Sequence, residues 1–274
     1  LDCADQLEFF FMEEMRRRTE EKKADFWLMG EVIHGDYSRW VNAKTLHSVT
    51  NYELRKGLYS GHNTHNYFEI AHTIRRQFGD PWGNRGLYEG CRLYTFADNH
   101  DVNRLTSELN VFAHSFPVYA LVYFLPGIPS VYYGSEFGIE GKKEGPDDSP
   151  MRPRLEPERI ISENPHPDLT GWIRTLGRIH RESQAAVYGV YKELVLTNCQ
   201  YVFGRILDEE TLIVAVNCDE NSGAELEVSV PAEGMEYEDA VTGEACAASD
   251  GRLRIGLEAA GCRIFRGRKE GERV

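Results

Sequence analysis

The strongest constraint in this chain is an alternation. From Gln6 to about Ala186, short apolar runs take turns with longer stretches of helical period. Residues 6–23 carry Leu7, Phe10, Phe11 and Met15 at helical spacing among charges, which predicts a helix. The run Phe26-Trp27-Leu28-Met29 is closed by Gly30, consistent with a buried strand. Residues 47–51 read as a second strand, followed by a Gly-, Asn- and His-rich loop. Residues 68–78 read as a helix and 92–97 as a strand. Residues 111–125 are mostly apolar and read as a buried helix; Pro126-Gly127-Ile128-Pro129 breaks it, and 130–133 read as a strand. A loop over 138–157 precedes a last helix at 169–182. Four strands among four helices predict a parallel sheet with helices outside it.

The texture changes after about Val187. Residues 201–206, 212–216, 226–230 and 253–257 are short apolar or alternating runs, separated by turn signals such as Asp219-Glu220-Asn221 and Asp250-Gly251. That pattern predicts an antiparallel β-sandwich. The expected division is therefore 1–186 for the α/β part and 187–274 for the sandwich, with a frayed tail at 266–274.

Charge and cysteine usage exclude several functions. With 31 Lys+Arg against 44 Asp+Glu the formal net charge is −13, which argues against a nucleic-acid surface and against an anionic-membrane binder. No run approaches the roughly 18 apolar residues of a membrane helix. The six cysteines stand singly, with no C-x-x-C and no paired His spacing. They argue against a structural zinc site and for a reducing, cytoplasmic setting.

Three segments share one form, an apolar run that ends in acidic residues: Leu1-Asp2-Cys3-Ala4-Asp5, Trp27-Leu28-Met29-Gly30-Glu31 and Tyr94-Thr95-Phe96-Ala97-Asp98-Asn99-His100-Asp101. In parallel α/β architectures the C-terminal ends of strands collect catalytic groups. From Asp2 to Glu31 is 31 − 2 = 29 residues, about one βα unit, and from Glu31 to Asp101 is 101 − 31 = 70, about two. The spacing aims all three carboxylates into one mouth. Converging carboxylates suit glycoside hydrolysis, where one attacks or stabilises the anomeric carbon and a protonated one serves the leaving oxygen. Crowding of like charges favours keeping one of them protonated. The competing reading is that acidic residues at strand ends cap the helices that follow.

The residues themselves resemble the alpha-amylase superfamily, glycoside hydrolase family 13. Leu1-Asp2 resembles the end of its fourth-strand motif, Gly30-Glu31-Val32 its fifth, Asn99-His100-Asp101 its seventh, and Tyr132-Tyr133-Gly134-Ser135-Glu136-Phe137-Gly138 its eighth. The resemblance implies a (β/α)8 TIM barrel, of which this chain would supply the C-terminal half, followed by an all-β antiparallel sandwich. It implies Asp2 as nucleophile of a retaining mechanism and Glu31 as general acid/base. Asp101 would be the carboxylate that binds sugar hydroxyls and favours the distorted ring, with His100 beside it. Gly30-Glu31-Val32-Ile33-His34, Trp40 and Val49-Thr50-Asn51-Tyr52 are similar to the cyclomaltodextrinase, neopullulanase and maltogenic amylase group. Gln6, four after the implied nucleophile, departs from the His usual in secreted amylases and the Glu frequent in this group.

His34 and Trp40 are candidate substrate-binding residues, Trp40 as a stacking platform for a pyranose. His62, His65 and Asn66 lack a carboxylate at matching spacing and read as solvated loop residues, so no metal ligands are assigned in this chain. Arg104 reads either as a partner of Asp101 or of another acid of the cleft, or as a solvent-facing helix residue; Asp98 and Asp5 read as structural or capping carboxylates, and Cys3 as core filling. The first three strand motifs of the family, and the inserted domain that often carries calcium, find no counterpart here. The expectation is a portion of a longer α-glucan hydrolase, needing no cofactor within this portion and inactive alone. Its partner would be an oligo- or polysaccharide, with no nucleic acid or membrane, and exposed strand edges would favour homo-oligomers. The alternatives are a transglycosylase or trehalose-forming relative and a non-catalytic, transporter-accessory homologue.

Overall fold

The computed structural model describes residues 1–80, 82–231 and 235–269. In chain order the first part holds α1 (Phe9–Lys22), β1 (Met29–Gly30), β2 (Ser48–Val49), α2 (Tyr52–Asn63), α3 (Phe68–Phe78), β3 (Tyr94–Phe96), α4 (Leu105–Glu108), α5 (Ser115–Phe124), β4 (Ile128–Ser130), α6 (Pro157–Ser162), α7 (Pro167–Glu182) and α8 (Gln184–Tyr188). The second part holds β5 (Val190–Leu196), β6 (Gln200–Ile206), β7 (Glu210–Asn217), β8 (Ala224–Ser229), β9 (Met235–Asp239), β10 (Ala245–Cys246), β11 (Ala248–Ser249), β12 (Arg252–Leu257) and β13 (Cys262–Lys269).

The first four strands form a parallel arc. Residues 1–4 run beside β1: Glu31 N donates to Leu1 O at 2.8 Å and Ala4 N to Glu31 O at 2.9 Å. β1 pairs with β2 through Met29↔Ser48 and Gly30↔Val49. Thr50 bridges to Tyr94, and β3 pairs with β4 from Tyr94↔Ile128 to Phe96↔Ser130. All of these pairings are parallel, and the helices lie outside them, as a βα alternation requires.

Three details differ from the sequence reading. The expected loop after residue 51 is helix α2: Asn51 Oδ1 accepts from Leu54 N at 3.1 Å and caps it. The last strand of the arc is Ile128–Ser130 rather than 130–133, with Pro129 inside it. Proline is tolerated there because β4 has a described partner on one side only. The tail also departs: 266–269 belong to β13, while 270–274 lie outside the described residues.

The second part is a sandwich. A six-stranded antiparallel sheet in the order β10-β9-β13-β7-β6-β5 faces a three-stranded sheet β11-β12-β8. Its interior is built from Val202, Ile213, Ala215, Val228, Ile255 and Phe265. The outer face of the large sheet is covered as well, because Tyr201, Phe203, Leu212, Val214 and Ile264 share one core with Tyr67, Val118, Leu121, Leu176 and Ala185 of the helices. All eight residues of β7 are therefore buried. A third cluster, containing Ala4, Met12, Leu28, Val32, Tyr37, Trp40 and Leu46, packs α1 under β1 and β2. The expected division at Ala186 falls inside α8.

Candidate active site

The three acidic segments end at one place. Asp2 is carried there by the short stretch that lies along β1, where Cys3 turns the chain with a left-handed φ of 46°. Glu31 follows Gly30, and only glycine fits at that step: a Cβ would stand 2.4 Å from Leu46 Cδ1 and 2.7 Å from Ala4 Cβ. The stretch beyond Glu31 is tied to the end of β2, since Thr50 Oγ1 accepts from Val32 N at 2.9 Å and donates to Val32 O at 3.0 Å. After β3, Asn99 Oδ1 accepts from the amides of Asp101 (2.9 Å) and Val102 (3.2 Å). This Asx turn curls the chain back so that Asp101 faces Asp2.

The result is a compact acidic group. One carboxylate oxygen each of Asp2 and Glu31, with Cys3 Sγ, lie within 4.8 Å of one another. One oxygen each of Asp2 and Asp101, with a His100 ring nitrogen, do the same. Asp2 thus stands between Glu31 and Asp101. Asp2 is exposed, Asp101 half-buried and Glu31 buried.

Each acid meets a different surrounding. Glu31 Oε1 accepts from the Tyr52 hydroxyl at 2.7 Å, and Tyr52 accepts in turn from Asn99 Nδ2 at 2.9 Å. Burial pushes the Tyr52 phenol well above its ordinary range, so it stays a donor. Asp101 Oδ1 accepts from Arg152 Nη2 at 2.7 Å, while His100 Nε2 lies 3.2 Å from Asp101 Oδ2. Arg152 also donates through Nε to the His100 carbonyl at 3.0 Å. The geometry gives one buried carboxyl with a neutral donor, one open carboxylate, and one paired with a cation.

The other sequence candidates divide. His34 is exposed on the loop after Glu31. Trp40 is not in the site: it is 6% exposed, in the cluster with Met12 and Leu46, with the Phe9 ring 6.3 Å away and the Arg39 guanidinium 5.3 Å from its centroid. The short 3-10 turn Tyr37–Arg39, capped by Asp36, drops it there, and it offers a sugar no open face. Arg104 neither pairs with Asp101 nor faces solvent. It is fully buried, donates to Tyr133 O at 2.8 Å, and lies 4.2 Å from the Tyr132 ring centroid. Asp98 is a structural carboxylate: it accepts from Ser135 Oγ and from Leu105 N at the start of α4, each at 2.9 Å, and burial raises its pKa. Tyr52 and Arg152 carried no role in the sequence reading. Tyr52 sits in the first turn of a helix read as a loop, and Arg152 approaches from 51 residues beyond Asp101.

The family described as Alpha amylase, catalytic domain, matches residues 4–178. An intracellular maltogenic amylase of Bacillus subtilis is 23% identical over 228 residues, covering 79% of this chain and 36% of that protein. A cyclomaltodextrinase of a Bacillus species is 26% identical over 226 residues, covering 80% of this chain and 38% of the relative. The chain therefore spans well under half the length of these curated relatives. A solved alpha-amylase from Geobacillus thermoleovorans, complexed with acarbose, superposes with a TM-score of 0.75 at 19% identity, over 96% of this chain and 58% of that one. The fold is accordingly of the TIM-barrel type with an attached β domain. Among the described residues no helix is long and apolar enough to cross a membrane.

Proposed function

The chain belongs to the alpha-amylase catalytic-domain family, and from that premise we propose that its carboxylates perform retaining hydrolysis of α-glucosidic bonds in starch-derived glucans or maltodextrins. Asp2 attacks the anomeric carbon and forms the glycosyl-enzyme. Glu31 gives its proton to the departing oxygen, then takes one from the water that releases the sugar. Asp101, with His100, holds ring hydroxyls. His34 stands at the rim, open to further glucose units. The observation that carries this reading is the position of Asp2, with a carboxylate oxygen within 4.8 Å of one on Glu31 and of one on Asp101. A nucleophile and acid separated by about 5 Å suit double displacement, whereas inversion needs room for a water between them.

Residues 1–186 carry the site in this reading, and 187–274 form the sandwich that braces it. The arc is completed by barrel strands outside the chain. Support comes from the small share of each relative that the chain spans and from β4, whose three residues are all half-buried. The chain alone is then inert, and the longer protein containing it is active. A cytoplasmic location is supported by the six free cysteines and by the relative described as intracellular.

The test assays the 274-residue chain and the longer protein on maltohexaose, cyclodextrin and pullulan, beside Asp2→Asn and Glu31→Gln. Hydrolysis by the longer protein, with both variants reduced at least a thousandfold, is expected. Absence of activity on every α-glucan overturns the substrate assignment, and activity in the short chain overturns the completed-barrel argument.

A further inference from the structure

Away from the carboxylates, three side chains distant in sequence meet where the helices rest on the sheet. His65 follows α2, His114 closes the 3-10 turn ahead of α5, and Glu220 lies in the turn after β7. One nitrogen of each imidazole and one carboxylate oxygen lie within 4.8 Å of one another. His65 Nε2 is 2.5 Å from Glu220 Oε2, and His114 Nε2 is 4.0 Å from the same oxygen. The carboxylate missing from the sequence pattern is thus supplied from 155 residues downstream of His65.

The neighbouring His62 is no part of this group. It is buried on α2, with Nδ1 2.6 Å from the Leu58 carbonyl and Nε2 3.0 Å from the Tyr67 hydroxyl, so both nitrogens are engaged. His114 differs. Its Nε2 lies 3.1 Å from the Cys218 carbonyl, and its buried Nδ1 has no partner. Nε2 is also the nitrogen beside Glu220, so it ligates when the neutral ring carries its proton on Nδ1, the atom nothing else engages, and the contact with the Cys218 carbonyl gives way. His65 is held at a φ of 51°, a left-handed backbone rarely adopted outside glycine, and from there its ring reaches Glu220.

We propose that His65, His114 and Glu220 bind a divalent transition-metal cation of the zinc type, which clamps the helices to the sandwich. Two imidazoles and a carboxylate suit zinc, while calcium and magnesium prefer all-oxygen sets. The His65 and Glu220 side chains are 41% and 30% exposed, which gives the ion a way in and leaves a fourth position to water.

The test uses the 274-residue chain freed of metal by chelator, beside His65→Ala and Glu220→Gln, with circular dichroism confirming that both variants fold. Zinc is followed by calorimetry and cobalt(II) by visible absorption. One equivalent of zinc, bound at least tenfold more tightly than by either variant, with cobalt d–d bands and no thiolate charge-transfer band, is the expected result. Equal affinity in the variants, a thiolate charge-transfer band that places the ion on cysteine, or no binding at all overturns the site.

Discussion

The Tyr52 hydroxyl is bonded on both sides, donating to Glu31 Oε1 at 2.7 Å and accepting from Asn99 Nδ2 at 2.9 Å. It links the end of β1 to the turn after β3, so the buried acid and the segment that carries Asp101 are positioned through one phenol. Tyr52→Phe keeps the ring, which stands edge-on to Phe96 at 5.0 Å, and removes only the link. Losing one hydrogen bond to a buried carboxyl is worth about 1–3 kcal/mol. We expect kcat on maltohexaose to fall by about 10-fold or more in the longer protein, with Tm lowered by only a few degrees. An unchanged kcat would show that Glu31 is positioned without Tyr52.

Gly30 makes a different kind of prediction. Its missing Cβ is what lets Ala4 and Leu46 close on β1, and Leu46 could rotate away from an added methyl whereas the Ala4 Cβ cannot. Gly30→Ala pushes the stretch bearing Asp2 off β1. Overpacking of this kind costs about 1–3 kcal/mol. A lower denaturation midpoint should accompany loss of hydrolysis, since Asp2 and Glu31 separate. A variant with native stability and activity would mean that the Asp2 segment is not clamped as described.

Acid sensitivity follows from a buried histidine. Burial lowers the His62 pKa to about 3, against an ordinary value near 6.5 in the unfolded chain. Because the folded value is the lower one, the unfolded state takes up the proton first. The contribution to stability is complete above about pH 6.5 and is lost as the pH falls toward 3. Each proton taken up only on unfolding costs about 1.4 kcal/mol per pH unit in that window. Urea midpoints measured from pH 7.5 to 5 should therefore decline, and His62→Asn should flatten the decline even though it lowers the starting stability. A slope identical in the two proteins would assign the acid sensitivity to other groups.

Much of the arrangement was legible from residues alone. The helix at 68–78 and the one read at 169–182, which begins two residues earlier in the structure, follow from apolar spacing, and the meeting of Asp2, Glu31 and Asp101 from acids at the ends of three runs. What escaped has physical reasons. Gly57 and Gly61 look like loop residues, but in α2 they are the places where Ile70 of α3 packs close: a Cβ at Gly61 would stand 3.3 Å from Ile70 Cγ1. Their small size serves helix packing, which no local propensity records. Trp40 resembles a sugar platform by type and position, yet its burial is settled by Phe9, far earlier in the chain. Glu220 lies so far downstream of His65 that no spacing rule could have joined them.

The wholly buried strand β7 carries two sets of obligations on one stretch of backbone. Leu212, Val214 and Val216 belong to the core shared with the helices, while Ile213 and Ala215 point into the sandwich. Parity therefore sorts sequence drift along this strand. A change at an even number disturbs the scaffold beneath the carboxylates, and a change at the next residue disturbs only the sandwich. Homologues that exchange the sandwich for another module must rewrite every second residue of the replacement's covering strand, or leave the helices without a floor.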